Sequence, residues 1–248
     1  MKVSILASGS KGNSTFVEAG STRMLIDLGV SCKYIEQKLK EIDINPRTIK
    51  RVLITHTHID HICGLITFYK KYKPTIHITP KMLDILKEYL DDFDYELYNN
   101  NKIDDIDVNI IKTSHDTADS VGFLIDNRLV YITDTGYLNE RYFKLLGNKE
   151  IYILESNHDI EMLMNGKYPH HLKQRIWSDK GHLSNLDAAT YLSKLIGDNT
   201  KYIFLAHLSE ENNNRQIALD TLLSHISEKM VEKIIVASQK DRTEMINI

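Results

Sequence analysis

Cysteine is scarce: the 248 residues include only Cys32 and Cys63. Two thiols cannot staple a small secreted fold, and they suit a reducing cytosol. No apolar run approaches the roughly 18 residues that a membrane helix needs. At the N-terminus a single lysine precedes the short apolar run 3–7. That run is too brief for the core of a secretory signal and reads as a first strand. Positive charge is short as well. The net charge is −3, which excludes a broad basic coat, so any contact with nucleic acid must be local. Low-complexity segments and short repeats are missing. What is present is ordinary globular composition, 42% apolar and 26% charged, on a chain long enough to bury a sizeable core.

Periodicity supplies the organisation. Strands are expected over 2–7, 14–18, 22–28, 51–55, 75–79, 106–113, 120–126, 128–133, 151–154, 201–205 and 233–237. Helices are expected over 31–41, 62–72, 80–90, 139–147, 185–196 and 214–229, with Ser184 as an N-cap. Residues 157–180 give no clear period, and the acidic stretch 91–107 reads as solvated surface. Strands in both halves with helices between them point to an α/β protein, one domain over 1–248 built from two β-rich halves.

The chemistry concentrates in His56-Thr57-His58-Ile59-Asp60-His61, directly after a strand. Three imidazoles and a carboxylate within six residues suit a borderline metal such as zinc or manganese. A turn there aims alternate side chains at two neighbouring points. Further candidates stand at strand tips: Asp27, His115, Asp134 and His207. Each alone is a plausible turn residue or cap; four tips after one strong motif argue for one site. The loop Ser8-Gly9-Ser10-Lys11-Gly12-Asn13-Ser14 offers hydroxyls and backbone N–H groups of the kind that cradle phosphate, through Ser10 and Asn13. It reads equally as a plain turn. Segment 167–180 carries Lys167, Lys173, Arg175, Lys180 and the only tryptophan, Trp177. It suits a nucleic-acid strand, or equally a solvated helix around a core tryptophan.

In order along the chain, Asp27, His56-x-His58-x-Asp60-His61, His115, Asp134 and His207 resemble the metallo-β-lactamase superfamily. The resemblance implies a four-layer αβ/βα sandwich and two divalent ions, zinc or manganese. It puts His56, His58 and His115 on one ion and Asp60, His61 and His207 on the other. Asp134 bridges them, and Asp27 supports a ligand histidine. The loop 8–14, together with Leu154-Glu155-Ser156-Asn157-His158-Asp159 and Gly181-His182-Leu183-Ser184-Asn185, resembles the YycJ/WalJ (VicX) group. That likeness implies a cytoplasmic 5′-to-3′ exonuclease acting on DNA, working through a metal-bridging hydroxide oriented by Asp60.

The Glu155 and His182 pair also resembles the transfer-RNA 3′-processing nucleases, in which the Glu orients a His that serves the leaving group. On residues alone, His182 reads also as a helix-start residue and Glu155 as a strand-end charge. The short intervals between His61 and His115, and between Asp134 and His207, leave no room for the flexible arm or clamp domain of the RNA-processing branches. An alternative is hydrolysis of a small ester, thioester or cyclic phosphate on the same site. A non-catalytic metal-binding protein is a third reading, and the full ligand set argues against it. The sequence names no protein partner.

Overall fold

The computed structural model describes residues 1–89, 92–98 and 102–248. Its contacts cluster into two compact units. The first comprises 1–106, 117–119 and 238–248, the second 107–116 and 120–237.

Unit 1 begins with an antiparallel meander, β1 (Lys2–Ala7), β2 (Ser14–Ala19) and β3 (Thr22–Ile26). Helix α1 (Cys32–Lys40) follows, with the Ser31 hydroxyl accepting from the Tyr34 N–H. Then β4 (Arg51–Leu53) adds parallel to β3. The helix expected over 62–72 is two helices, α2 (Ile59–Ile62) and α3 (Leu65–Tyr72). Gly64 separates them: its N–H donates to Leu28 O, and a Cβ there would meet Val30 O at 2.1 Å. Strand β5 (Thr75–Ile78), helix α4 (Pro80–Leu86) and strand β6 (Tyr95–Leu97) complete this run. Position 90, the expected end of α4, lies outside the described residues.

Unit 2 repeats the plan. The short β7 (Lys102–Ile103) closes the first run of unit 1, and strands β8 (Ile106–Lys112), β9 (Val121–Ile125) and β10 (Leu129–Ile132) form the expected meander. Asp126 and Asn127, both left-handed at φ 53° and 51°, are the central residues of the β-turn between β9 and β10, in which the Arg128 N–H donates to Ile125 O. The helix expected over 139–147 is a 3-10 turn (Glu140–Tyr142) and α5 (Phe143–Leu146). Three parallel strands follow β10 in the sheet: β11 (Ile151–Glu155), β12 (Tyr202–Ala206) and β13 (Ile234–Val236). Strands β10 and β11 are buried throughout and β12 almost so. Their unbroken apolar runs belong to a sheet covered on both faces.

Between β11 and β12, the segment 157–180 without clear period folds as α6 (Ile160–Asn165) and α7 (His170–Ile176). These helices are too short for a period to emerge, and α7 buries no residue. Helix α8 (Asn185–Leu195) starts at the expected Ser184 cap, closed by a reciprocal bond to Asp187. The helix expected over 214–229 ends early as α9 (Arg215–Leu223), where Ser224 Oγ donates back to Thr221 O. A 3-10 segment, Glu228–Lys233, follows. Strand β14 (Ile246–Asn247) pairs with β1.

The first sheet runs β14-β1-β2-β3-β4-β5-β6, and the second β13-β12-β11-β10-β9-β8 with β7 at its edge. The stretch 91–107 is not wholly solvated. Phe93, Ile103 and Ile106 are buried, and positions 91 and 99–101 lie outside the described residues. Cys32 and Cys63 form no disulfide. Among the described residues, no helix is long and apolar enough to cross a membrane.

Candidate metal centre

In unit 1 the histidine motif fills the turn from β4 into α2. Its organiser is Asp27, fully buried one residue past β3. Asp27 Oδ1 accepts from the Thr55 N–H at 2.8 Å. Asp27 Oδ2 accepts from Thr55 Oγ at 2.7 Å and from His61 Nδ1 at 2.8 Å. With its proton given to Asp27, Thr55 Oγ accepts from His56 Nδ1 at 3.1 Å. Both imidazoles are thereby held with the proton on Nδ1 and the lone pair on Nε2, the arrangement a metal ligand requires. His56 Nε2 stands 3.2 Å from His58 Nδ1, and His61 Nε2 stands 3.7 Å from Asp60 Oδ2. Burial pushes the Asp27 carboxyl up, and the attraction of His61 offsets this only in part.

The loop 8–14 is a brace for this motif. Asn13 is buried, and its N–H donates to Asp60 O at 2.8 Å. Its side-chain oxygen accepts from the Gly9 N–H at 2.9 Å, and Nδ2 donates to Gly9 O and toward His61 Nε2 at 3.0 Å. The Asn13 carboxamide is therefore bonded within the protein through the Gly9 backbone. Ser10 is exposed. Gly29, unnoticed in the sequence, allows the close approach: a Cβ there would lie 1.6 Å from Asp60 O.

In unit 2 the organiser is Glu155, the fully buried last residue of β11. Its Oε2 accepts from the N–H groups of Thr135 and Leu183. Its Oε1 accepts from His182 Nδ1 at 2.7 Å and from His207 Nδ1 at 2.8 Å. Glu155 thus orients two histidines, of which the sequence pointed to one. Burial works to raise its carboxyl, but the facing His182 and the bonds from both imidazoles prevail and hold it well below the usual carboxylate range. Asn157, from the strand-end motif, donates through Nδ2 to His207 O at 2.9 Å. His115 Nδ1 donates to Gly181 O at 3.0 Å. Burial pushes the His115 imidazole down, toward the neutral form that binds metals.

Asp134 Oδ1 lies 3.8 Å from His115 Nε2, 3.8 Å from His182 Nδ1 and 3.5 Å from His207 Nδ1. Asp27, Asp134 and His207 all have left-handed backbones, at φ 59°, 54° and 55°. Non-glycine residues pay for that conformation, and it concentrates at functional sites. His158, in the same strand-end motif, belongs to the core, where burial pushes its imidazole down to about 4.

The donor chemistry fits divalent metal ions. In unit 2 one ligand atom from each of Asp134, Glu155, His182 and His207 lies within 4.8 Å of the others. In unit 1 the imidazole and carboxylate atoms crowd at 3.2 and 3.7 Å. Imidazoles braced through Nδ1 beside carboxylates are a metal site's donor set.

The profile of the metallo-beta-lactamase superfamily matches residues 7–207, and the chain belongs to that superfamily. It is 38% identical over 238 residues to a protein of Streptococcus pneumoniae serotype 2 (strain D39 / NCTC 7466) named exodeoxyribonuclease WalJ, covering 92% of this chain and 88% of that one. It is 35% identical over 235 residues to exodeoxyribonuclease YycJ of Bacillus anthracis, covering 91% and 89%. Among solved structures, the metallo-beta-lactamase fold protein YhfI from Bacillus subtilis matches with a TM-score of 0.73 at 14% identity over 98% of each chain. Human tRNase Z, short form, matches with a TM-score of 0.66 at 15% identity over the whole of both chains. The expected metallo-β-lactamase fold, with its mixed sheets and flanking helices, is thus the fold of this chain.

Proposed function

We propose that the chain is a two-metal phosphodiesterase of the cytoplasm that degrades DNA from the 5′ end. The names of its curated relatives support the substrate and the activity. The observation that carries the mechanism is the Glu155 carboxylate, whose Oε1 accepts from both His182 and His207. One buried anion thereby orients a ligand and a proton donor together.

In this reading, which follows the family likeness, His56, His58 and His115 would hold one ion, Asp60, His61 and His207 the other, and Asp134 would serve both. Zinc and manganese both suit this set. When bound, the ions activate the attacking water and offset charge on the phosphate oxygens. Asp60, its carboxylate 3.7 Å from His61 Nε2, orients the nucleophile. His182 donates its Nε2 proton to the departing 3′ oxygen, while Glu155 at Nδ1 stabilises the imidazolium before the transfer. Ser10, exposed at the tip of the brace loop, and Asn13 in the same loop are the candidates for the substrate phosphate.

The test offers the purified protein, loaded with manganese or zinc, DNA labelled at either end, RNA and small aryl phosphodiesters. Stepwise release from the 5′ end is expected. Asp60→Ala abolishes it. His182→Ala lowers kcat on DNA by about 10²–10⁴ but spares bis(p-nitrophenyl) phosphate, whose leaving group needs no proton. Turnover of small esters alone, or DNA cleavage indifferent to both substitutions, overturns the proposal.

A further inference from the structure

Helix α7 stands beside His182 and buries none of its residues, which calls for an explanation. It separates two cavities in unit 2. One, of about 170 Å³, is lined by Tyr168, Leu172 and Arg175 together with His115 and His182. The other, of about 400 Å³, is lined by Met164, His170, Lys173, Gln174 and Trp177. The second is mainly apolar, and its volume falls in the about 300–1,000 Å³ range of sites that enclose small ligands. Trp177, the only tryptophan of the chain, is 58% exposed. It is therefore not the core tryptophan that its sequence context also allowed.

The backbone around Trp177 is firmly placed. Its N–H donates to Lys173 O at 3.0 Å, and the His182 N–H donates to Ile176 O at 2.9 Å. The indole thus hangs from the same turn that carries the proton donor. The segment that carries it is rich in cations. Segment 167–180 holds Lys167, Lys173, Arg175 and Lys180 against Asp179 alone, in a chain of net charge −3. Arg175 is pinned by Asp116, and Lys173 Nζ donates to Met164 O at 2.6 Å. Both cations are held in place at the cavities they line.

We propose that α7 grips an unpaired DNA strand, with one base stacked on Trp177 and the backbone tracked by Lys173 and Arg175 toward His182. The inference rests on the nuclease reading above and narrows it to single-stranded DNA at the point of contact. An exposed aromatic among cations is how strands are held without regard to sequence. A duplex hides the base faces that an indole needs, whereas an unpaired strand presents them.

Because the chain has one tryptophan, its emission reports this groove alone. The holoenzyme is titrated with 5′-phosphorylated oligo(dT) carrying cleavage-resistant phosphorothioate links. Saturable quenching is expected, with the same midpoint as anisotropy of a labelled oligonucleotide, and weaker quenching by a blunt duplex. Trp177→Ala raises KM for single-stranded DNA about tenfold with little change in kcat. Trp177→Phe recovers most of the loss, and both variants melt with the parent protein.

Digestion of single strands with unquenched emission and an unmoved KM in Trp177→Ala overturns the inference and leaves the exonuclease reading standing. Failure of the parent protein to bind or cut any DNA overturns both. Emission that shifts to the blue with protein concentration alone, alongside a sedimenting dimer, assigns the groove to a second copy and also overturns it.

Discussion

The two units build their donors on one topology, a three-stranded meander followed by parallel strands, yet organise them differently. In unit 1 a single turn supplies four donors, and the buried carboxylate of Asp27 steadies one imidazole directly, through His61. In unit 2 the donors come from separate strand ends, and Glu155 steadies two imidazoles. The electrostatic outcomes differ as well. At Asp27 burial prevails and the carboxyl is pushed up. At Glu155 the facing His182 and the bonds from both imidazoles prevail and hold the carboxyl down. A buried carboxylate stays charged when enough partners face it.

Three substitutions bear on that contrast. The largest effect is expected for Glu155→Gln, which keeps shape while removing the charge that serves both histidines. Loss of the proton donor's partner alone costs about 10²–10⁴ in rate, and metal affinity falls about 10–100-fold besides. Kinetics on labelled DNA at saturating metal, set beside bound metal by mass spectrometry, separates the two losses. A variant deficient in only one of them would break the picture of one carboxylate with two duties.

Asp27→Asn is expected to be milder. Metal affinity drops about 10–100-fold, but turnover returns when metal is raised, because no proton donor depends on Asp27. If excess metal fails to restore turnover, unit 1 is not the simpler half.

The smallest effect belongs to Asn13→Ala, which removes the brace without touching a carboxylate. The buried Gly9 N–H loses its partner, a cost of about 1–3 kcal/mol. Urea unfolding should show a lower midpoint at an unchanged slope.

Unit 1 was the more legible half in sequence. His56 to His61 stand together, so spacing alone exposed them, and Asp27 was visible as a strand-tip carboxylate. In unit 2 the same kind of site depends on strands β10, β11 and β12 lying parallel in register, which no local pattern reveals. Asp134, His115 and His207 were suggested by strand ends and collected by family likeness. The second duty of Glu155 escaped notice, although a ligand histidine needs an acceptor at Nδ1 and Glu155 already stood beside one candidate. Asn13 read as an anion contact from its glycine-rich loop, and its bonds to the Gly9 backbone depend on a burial that the sequence does not display. Residues 157–180 gave no period because α6 and α7 are six and seven residues long, too brief to repeat a pattern.

Gly181 has a wider consequence. A Cβ there would lie 2.0 Å from Ile176 O and 2.4 Å from Arg175 O, and its own carbonyl accepts from His115 Nδ1. Helix α7, His115 and His182 therefore meet at one crowded peptide with no slack to absorb a shift. If the proposed roles hold, remodelling α7 to accept a different polymer would drag the chemistry with it, so new specificity on this scaffold is more readily gained at loops that do not pass through that knot.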